Sequence, residues 1–408
     1  MLREVIRERY ARLFARLYAR FRNIELVEDA LQDAAEKAAA RWDRTPPADP
    51  AAWLYVAARN RIVDILRAGG KVTDELPETG APSREIEALE AGRTLDEQLR
   101  LMCMCCHPAL AERAQVLLTL KLVAGLTVDE IAAALLMKPK TVAQTLTRSK
   151  AKIARAGIPF EVADESHLAE RIATIQRVLY LLFNEGYHSN SEQPSLLRVD
   201  LCVEAIRLAR LLVAIERDIA ESTSLLCLML YQHSRSTTRE SADGQPILLA
   251  DQDRSQWDRA AIAEADGLLE RVLPAIHAGR GGRYAIQAAI AREHAHAASF
   301  DRSDWRQICK LYSELYLLQP DPIVLLAWLG AESYRSSPAL ALELIERHGL
   351  EHHLQTYRWF YSTRAELQKR TGDVTGAERD LRRAIELTKN RGELKFLQRR
   401  LGELADKV

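Results

Sequence analysis

Six cysteines in 408 residues are too few for a disulfide scaffold, and three of them crowd into Cys103, Cys105 and Cys106. That usage fits a reducing cytoplasm. Net charge is missing as well: 57 basic side chains offset 57 acidic ones, so bulk charge argues for neither a nucleic acid nor a membrane partner. Long apolar runs are absent, and stretches such as Ile131–Met137 and Ile323–Leu329 fall far short of the roughly 20 residues that span a bilayer. The segment Met1–Arg22 carries seven arginines and no apolar run of signal-peptide length, so neither a secretory leader nor a membrane association is expected. Aromatics are sparse at 6%, yet 48% apolar and 28% charged residues exclude collagen-like and wholly disordered chains. At roughly 150 residues per domain, the length predicts two to three domains.

What the chain has is local charge asymmetry. Met1–Arg22 is net +5, whereas Ile24–Glu36 holds five acids and no base. Leu2, Ile6, Leu13 and Leu17, then Leu26, Ala30 and Leu31, recur near the helical period, so both windows read as amphipathic helices. Pro46, Pro47 and Pro50 stop the second, and a third runs from about Ala51 to Leu66 before Gly69-Gly70. Residues 1–70 therefore form a first helical domain. Residues 71–98 follow as an acidic linker, with eight acids against Arg84 and Arg93 between Val72 and Leu99. Residues 99–157 form a second helical domain whose end is basic: Ile131–Phe160 contains six bases and no acid. After Pro159 the helical patterns continue without alternating segments, which divides into an extension over 158–290 and repeat-like helices over 291–408. Leu315 and Ala384 stand 69 residues apart, close to two tetratricopeptide periods of about 34, although the copy around Leu340–Leu350 fits poorly. The fold class is all-α.

The segment from Gly125 to Lys150 reads as a helix-turn-helix. Thr127 with Glu130 makes a capping box; Ile131, Ala132 and Leu135 form an inward stripe; a turn at Leu136–Pro139 leads to a second helix with Val142 and Leu146 facing in. Lys140, Thr141, Gln144, Thr145 and Arg148 face out, and Lys138 and Lys152 extend this basic surface. A helix in the major groove needs such groups, Gln and Arg for base edges and Thr and Lys for phosphates. A merely solvated basic face is the alternative. In the first domain, Asp29, Gln32 and Asp33 share an acidic helix face suited to a basic protein surface. Arg59, Asn60, Arg61 and Arg67, preceded by Trp53 and Tyr55, put bases and aromatics on one helix that could hold a single strand by phosphate pairing and stacking. Trp53 fits core packing at least as well.

In this order, these segments resemble the extracytoplasmic-function (ECF) sigma factors of bacterial RNA polymerase, in the subgroup with a long helical C-terminal extension. VEDALQDAAEKAAARW (Val27–Trp42) is similar to the region-two helix that docks on the polymerase clamp, PAAWLYVAARNRIVDILR (Pro50–Arg67) to the helix that captures the melted promoter element, and Gly125–Ile153 to region four, which reads the upstream element. CCHPALAERAQ (Cys105–Gln115), RAGIPF (Arg155–Phe160), YLLFNEGY (Tyr180–Tyr187) and DQDRSQWD (Asp251–Asp258) resemble the extended subgroup in particular. The resemblance implies core RNA polymerase and promoter DNA as partners, a linker threading channels that nucleic acid occupies, and a C-terminal half acting as a built-in regulator able to take a protein or peptide partner. Leu136 stands where many members have glycine, implying a turn without positive φ or a strained leucine. Ala35 replaces a common large aromatic, implying looser packing of the docking helix.

Other constellations carry less. Cys103, Cys105, Cys106 and His107 cannot converge on one ion from a helix and read as buried thiols; His294 and His296 point apart. Asn184–His188 and Asp251–Asp258 read as helix caps and ion pairs, since no nucleophile–base pair or phosphate loop accompanies them. No catalytic residue, metal or cofactor is expected. A stand-alone helix-turn-helix regulator or a peptide-binding scaffold are the competing readings.

Overall fold

The computed structural model describes residues 2–42, 47–68, 97–135, 137–160, 165–188, 197–215 and 220–405. Leu136, Gly69-Gly70 and all but the last residues of the acidic linker lie outside them. The described residues are helical and contain no strand, only an isolated antiparallel bridge between Glu240 and Pro246. The chain divides into two compact units, residues 1–179 and 180–408.

The first unit begins with a three-helix bundle, α1 (Leu2–Phe21), α2 (Ile24–Arg41) and α3 (Pro50–Ala68). Arg22, at φ 52°, breaks the first helix, and the Asn23 side chain accepts from the Leu26 N–H at 3.0 Å to start the second. Helix α2 buries Val27, Ala30, Leu31 and Ala34, and α3 buries Leu54, Ala58 and Ile62, the 3.6-residue period expected of amphipathic helices. Asp49 starts α3 by accepting from Ala51 and Ala52 N–H groups at 2.9 and 3.0 Å.

The second part of this unit comprises α4 (97–105), α5 (Glu112–Leu118), α6 (Val128–Ala134) and α7 (Pro139–Arg155). Gln115 braces the α4–α5 connection by donating to the His107 and Leu110 carbonyls at 3.0 and 3.2 Å. Beyond α5 the helix widens into a π-turn over Thr119–Val123 and ends at Gly125. Helix α8 (Glu165–Tyr187) follows.

The second unit holds α9 (Val199–Ile215), α10 (Ala220–His233), α11 (Arg259–Ala275) and α12 (Arg283–His296). Helix α10 is buried on all sides from Ser222 to Tyr231 because α9, α11 and α12 all pack on it. Its Glu221 carboxylate accepts from the N–H groups of Gly282, Tyr284 and Ala285 at 2.9, 2.8 and 3.3 Å, capping α12 from a distance. A Cβ at Gly282 would lie 2.6 Å from a Glu221 oxygen, so a side chain there would push this capping carboxylate aside.

Seven further helices complete the chain: α13 (Trp305–Leu318), α14 (Pro322–Arg335), α15 (Pro338–Arg347), α16 (Leu350–His353), α17 (Arg358–Thr371), α18 (Val374–Leu387) and α19 (Arg391–Ala405). Successive long helices pack on one another. The irregular spacing around Leu340–Leu350 has a local cause: α15 has only ten residues, and the chain makes the one-turn α16 before α17 begins. Between α17 and α18, Asp380 is 1% exposed and receives Arg364 Nη2 at 2.8 Å, while Arg364 Nη1 reaches Glu351 at 2.8 Å.

Candidate nucleic-acid interface

The turn that carries α6 and α7 is built by local chemistry. Thr127 Oγ1 accepts from the Glu130 N–H at 3.2 Å, and the Glu130 carboxylate accepts from the Thr127 N–H at 2.8 Å, a reciprocal capping box. We expect Thr127→Ala to weaken α6 locally by about 1 kcal/mol, read as faster hydrogen exchange at its first amides, with Thr127→Ser restoring protection. Pro139 opens α7, whose inner face buries Val142, Leu146, Ser149 and Ile153. On the inner face of α6, Ile131 and Ala132 are buried, whereas Leu135 is only half-buried at the helix end.

The outer face of α7 exposes Lys138, Lys140, Thr141, Gln144, Arg148 and Lys152. No acid lies between Ile131 and Phe160, so nothing within α7 offsets this positive surface. Thr145 departs from the expected outward set: it is half-buried, and its hydroxyl donates back to the Thr141 carbonyl at 2.8 Å. The Lys152 ammonium, though exposed along its stem, bonds to the Ala109 carbonyl.

In the three-helix bundle, Asp29 and Gln32 are exposed and Asp33 half-buried on one face of α2, with Gln32 donating to Glu36 at 3.1 Å. Asn60, Arg61 and Arg67 are exposed on α3, and Arg59 is half-buried. The two assigned surfaces meet: Arg61 Nε lies 2.5 Å from Asp33 Oδ2, in a pair more than a third exposed on both sides and therefore weak. Trp53 packs edge-to-face on buried Trp42 with centroids 5.6 Å apart, and Tyr55 lies under the Arg16 guanidinium at 4.7 Å. Both aromatics are engaged within the bundle.

Sequence reasoning missed a third face of α7. Lys150 turns toward α2 and pairs with Glu28, whose other oxygen lies 3.7 Å from Lys121. Around this charge cluster, Tyr10, Phe14 and Tyr18 stack along α1, Tyr18 meets Phe160 edge-on at 4.9 Å, and Arg22 covers the Phe160 ring at 5.1 Å. Gly125, at φ +72°, brings its backbone against the Tyr10 ring. Burial, with Glu28 adding to it, pushes the Tyr10 hydroxyl well above its usual pKa. The signal available beforehand was Lys150 itself, which belongs to neither the inward nor the outward stripe, and Phe160, an aromatic placed just after a helix stop.

The clustered cysteines are buried in the same unit. Burial and the neighbouring Cys106 and Cys103 raise the Cys105 thiol well above its usual range, and burial pushes Cys106, 3.6 Å from the Thr119 hydroxyl, up to about 12. Both stay protonated at neutral pH, the state of inert core thiols.

Residues 5–72 match the family model for sigma-70 region 2 and residues 100–153 that for sigma-70 region 4. The chain is a sigma factor of the sigma-70 type. A protein of Rhizobium meliloti (strain 1021), described as uncharacterized, is 40% identical over 392 residues, covering 94% of this chain and 91% of the relative, and the chain belongs to the same family. Residues 171–273 match a family of unknown function, DUF6596, so this sigma factor carries a C-terminal extension. Region 2 thus spans α1 to α3, and region 4 spans α4 to α7. Sigma factors direct RNA polymerase to promoters, which makes core polymerase and promoter DNA the partners of this chain. No described helix of the sigma factor is long and apolar enough to cross a membrane.

Proposed function

We propose that this sigma factor is of the ECF type and divides its work among the surfaces described above. The exposed α7 face, with Lys138, Lys140, Thr141, Gln144 and Arg148, reads the upstream promoter element, helped by Thr145 and Lys152. Asn60 and Arg61, with Arg59, Arg67, Tyr55 and Trp53 around them, take the melted downstream element. Asp29, Gln32 and Asp33 dock on polymerase. The observation that carries this reading is the acid-free outer face of α7, held on a reciprocally capped helix-turn-helix within a region-4 match. The acidic segment 71–98 runs through nucleic-acid channels of the enzyme, its charge standing in for a phosphate backbone. The chain itself catalyses nothing; the polymerase does the chemistry in the cytoplasm.

The C-terminal half, Glu161–Val408, regulates these activities in place of a separate inhibitor, with its last helices as tetratricopeptide-like repeats that take a protein or peptide. In vitro transcription with purified core polymerase and the full chain on selected promoter fragments tests the assignment. Initiation only when the protein is added, lost with Asn60→Ala/Arg61→Ala while duplex binding persists, is the expected result. DNA binding without any initiation would instead mark a stand-alone helix-turn-helix regulator.

A further inference from the structure

Two polar segments left unused by promoter recognition, Asn184–His188 and Asp251–Asp258, converge on one cavity of the second unit. Asp253 and Asp258 do serve as caps, accepting from Ser255 and from Ala260 and Ala261 N–H groups. His188 and Gln252, however, line a cavity of about 270 Å³ closed on its other side by Trp359 of α17 and Phe396 and Arg400 of α19. Leu197, Ile247, Leu249 and Leu397 give it an apolar wall, and Ser362 and Glu393 add polar groups. The loop that supplies Ile247 is held in place by its N–H donating to the Arg239 carbonyl at 2.8 Å and by the Glu240–Pro246 bridge.

The charges around this cavity do not balance. Glu393 pairs with Arg358, 2.9 Å from its Nε, and Arg400 pairs with Glu366. Arg235 and Arg239 remain, and neither has a carboxylate within ion-pair distance among the described residues. Arg235 donates to Gln232 at 2.8 Å. Arg239 donates to the Tyr187 carbonyl at 2.7 Å, faces the His188 ring at 3.3 Å and lies 3.5 Å above the Tyr187 ring. These partners are neutral: burial, then Arg239, Arg235 and Arg358, hold the His188 imidazole well below its usual pKa. Burial likewise depresses the Arg239 guanidinium, and Arg235 adds to that effect, against the opposing influence of Tyr187, Cys202 and Glu240. A cation placed among neutral groups is stabilised by an incoming anion. The site also lacks a donor. Gln252 is 8% exposed, its Nε2 donates to the Ile247 carbonyl at 3.0 Å, and its Oε1 is buried without a hydrogen-bond partner, a state that costs free energy until a donor arrives.

We propose that this cavity binds a small planar organic acid, its carboxylate on Arg239 and Arg235, its ring among Trp359, Phe396 and the leucines, and an N–H or O–H donated to Gln252 Oε1. The volume sits near the lower end of the range of roughly 300–1,000 Å³ for ligand pockets, which suits a one- or two-ring acid. This inference concerns the extension alone and does not depend on the promoter assignments.

The test is calorimetry on the full-length protein with three probes: indole-3-carboxylate, its uncharged carboxamide, and 1-methylindole-3-carboxylate, which lacks the donor. We expect one saturable site for indole-3-carboxylate, with the carboxamide at least about tenfold weaker, since charge-assisted hydrogen bonds carry that much discrimination. The N-methyl acid should fall between them. Arg239→Gln should bind the acid about tenfold more weakly and no longer distinguish it from the amide. Arg235→Gln, at a half-exposed position that leaves the Arg239 bonds in place, gives the same direction of change should Arg239→Gln not fold. No saturable binding of indole-3-carboxylate up to millimolar concentration would overturn the proposal. So would equal affinity for acid and amide, or full binding in the folded arginine variants.

Discussion

Replacing Lys140 and Arg148 together by alanine is expected to weaken promoter binding by roughly thirtyfold to a thousandfold. A guanidinium bidentate to a base edge is worth about 1–3 kcal/mol of discrimination, and loss of a phosphate-contacting lysine lowers the salt slope by about one counterion. The two contributions separate experimentally. Fluorescence anisotropy across a salt series should show Lys140→Ala flattening the slope for all sequences alike, and Arg148→Ala relaxing preference at one base position. Both side chains are exposed, so the fold should survive either change. Unchanged binding in the double variant would mean that α7 presents a solvated face and that recognition lies elsewhere.

The second large effect concerns stability. Gly125→Val should destabilise the first unit by about 2–5 kcal/mol. A β-branched residue at φ +72° costs about 1–2 kcal/mol in backbone strain, and forcing a side chain into filled space adds about 1–3 kcal/mol. The space is filled by Tyr10, whose Cγ, Cβ and Cδ1 would lie 2.6, 2.8 and 2.9 Å from the new Cβ. Tyr10 cannot swing away freely because it stacks on Phe14, which stacks on Tyr18. Gly125→Ala should fall between wild type and valine. Gly330→Ala is the matched control: it lies inside α14, a Cβ there meets nothing within 4 Å, and the change should stabilise by about 0.5–1 kcal/mol. Hydrogen exchange at α1 and α5 amides reads the Gly125 variants and exchange at α14 amides the Gly330 control, and protection at α1 and α5 unaltered by Gly125→Val would refute the packing argument.

These two predictions mark how far local pattern reaches. The all-α class, the three N-terminal helices and the capped turn before α6 follow from period, breakers and capping chemistry within a dozen residues, and all are present. What local pattern does not contain is pairing between distant segments. Lys150 and Glu28 are 122 residues apart, and nothing in either helix alone announces the other. Arg61 and Asp33, assigned to different partners from their own helix faces, prove to share an ion pair. The polar runs Asn184–His188 and Asp251–Asp258 read as caps because capping is a local property, and the aspartates do cap. Their convergence on a cavity also lined from α17 and α19 is a property of tertiary packing. Thr145 shows a subtler limit, since a threonine on a helix can turn its hydroxyl to the preceding turn, a bond that register alone does not announce.

The ion cluster of Glu28 with Lys150 and Lys121 has a thermodynamic corollary. Glu28 belongs to the helix whose neighbouring carboxylates we propose dock on polymerase, and Lys150 to the helix we propose reads DNA. Any ligand that engages Glu28 leaves two largely buried ammonium groups without their counter-charge, and such groups bind a polyanion more tightly than neutralised ones. Coupling free energies are reciprocal. A polyanion that claims Lys150 must therefore raise the affinity of Glu28 for any competing cation by the same factor, so that a single carboxylate couples events at α2 to events at α7.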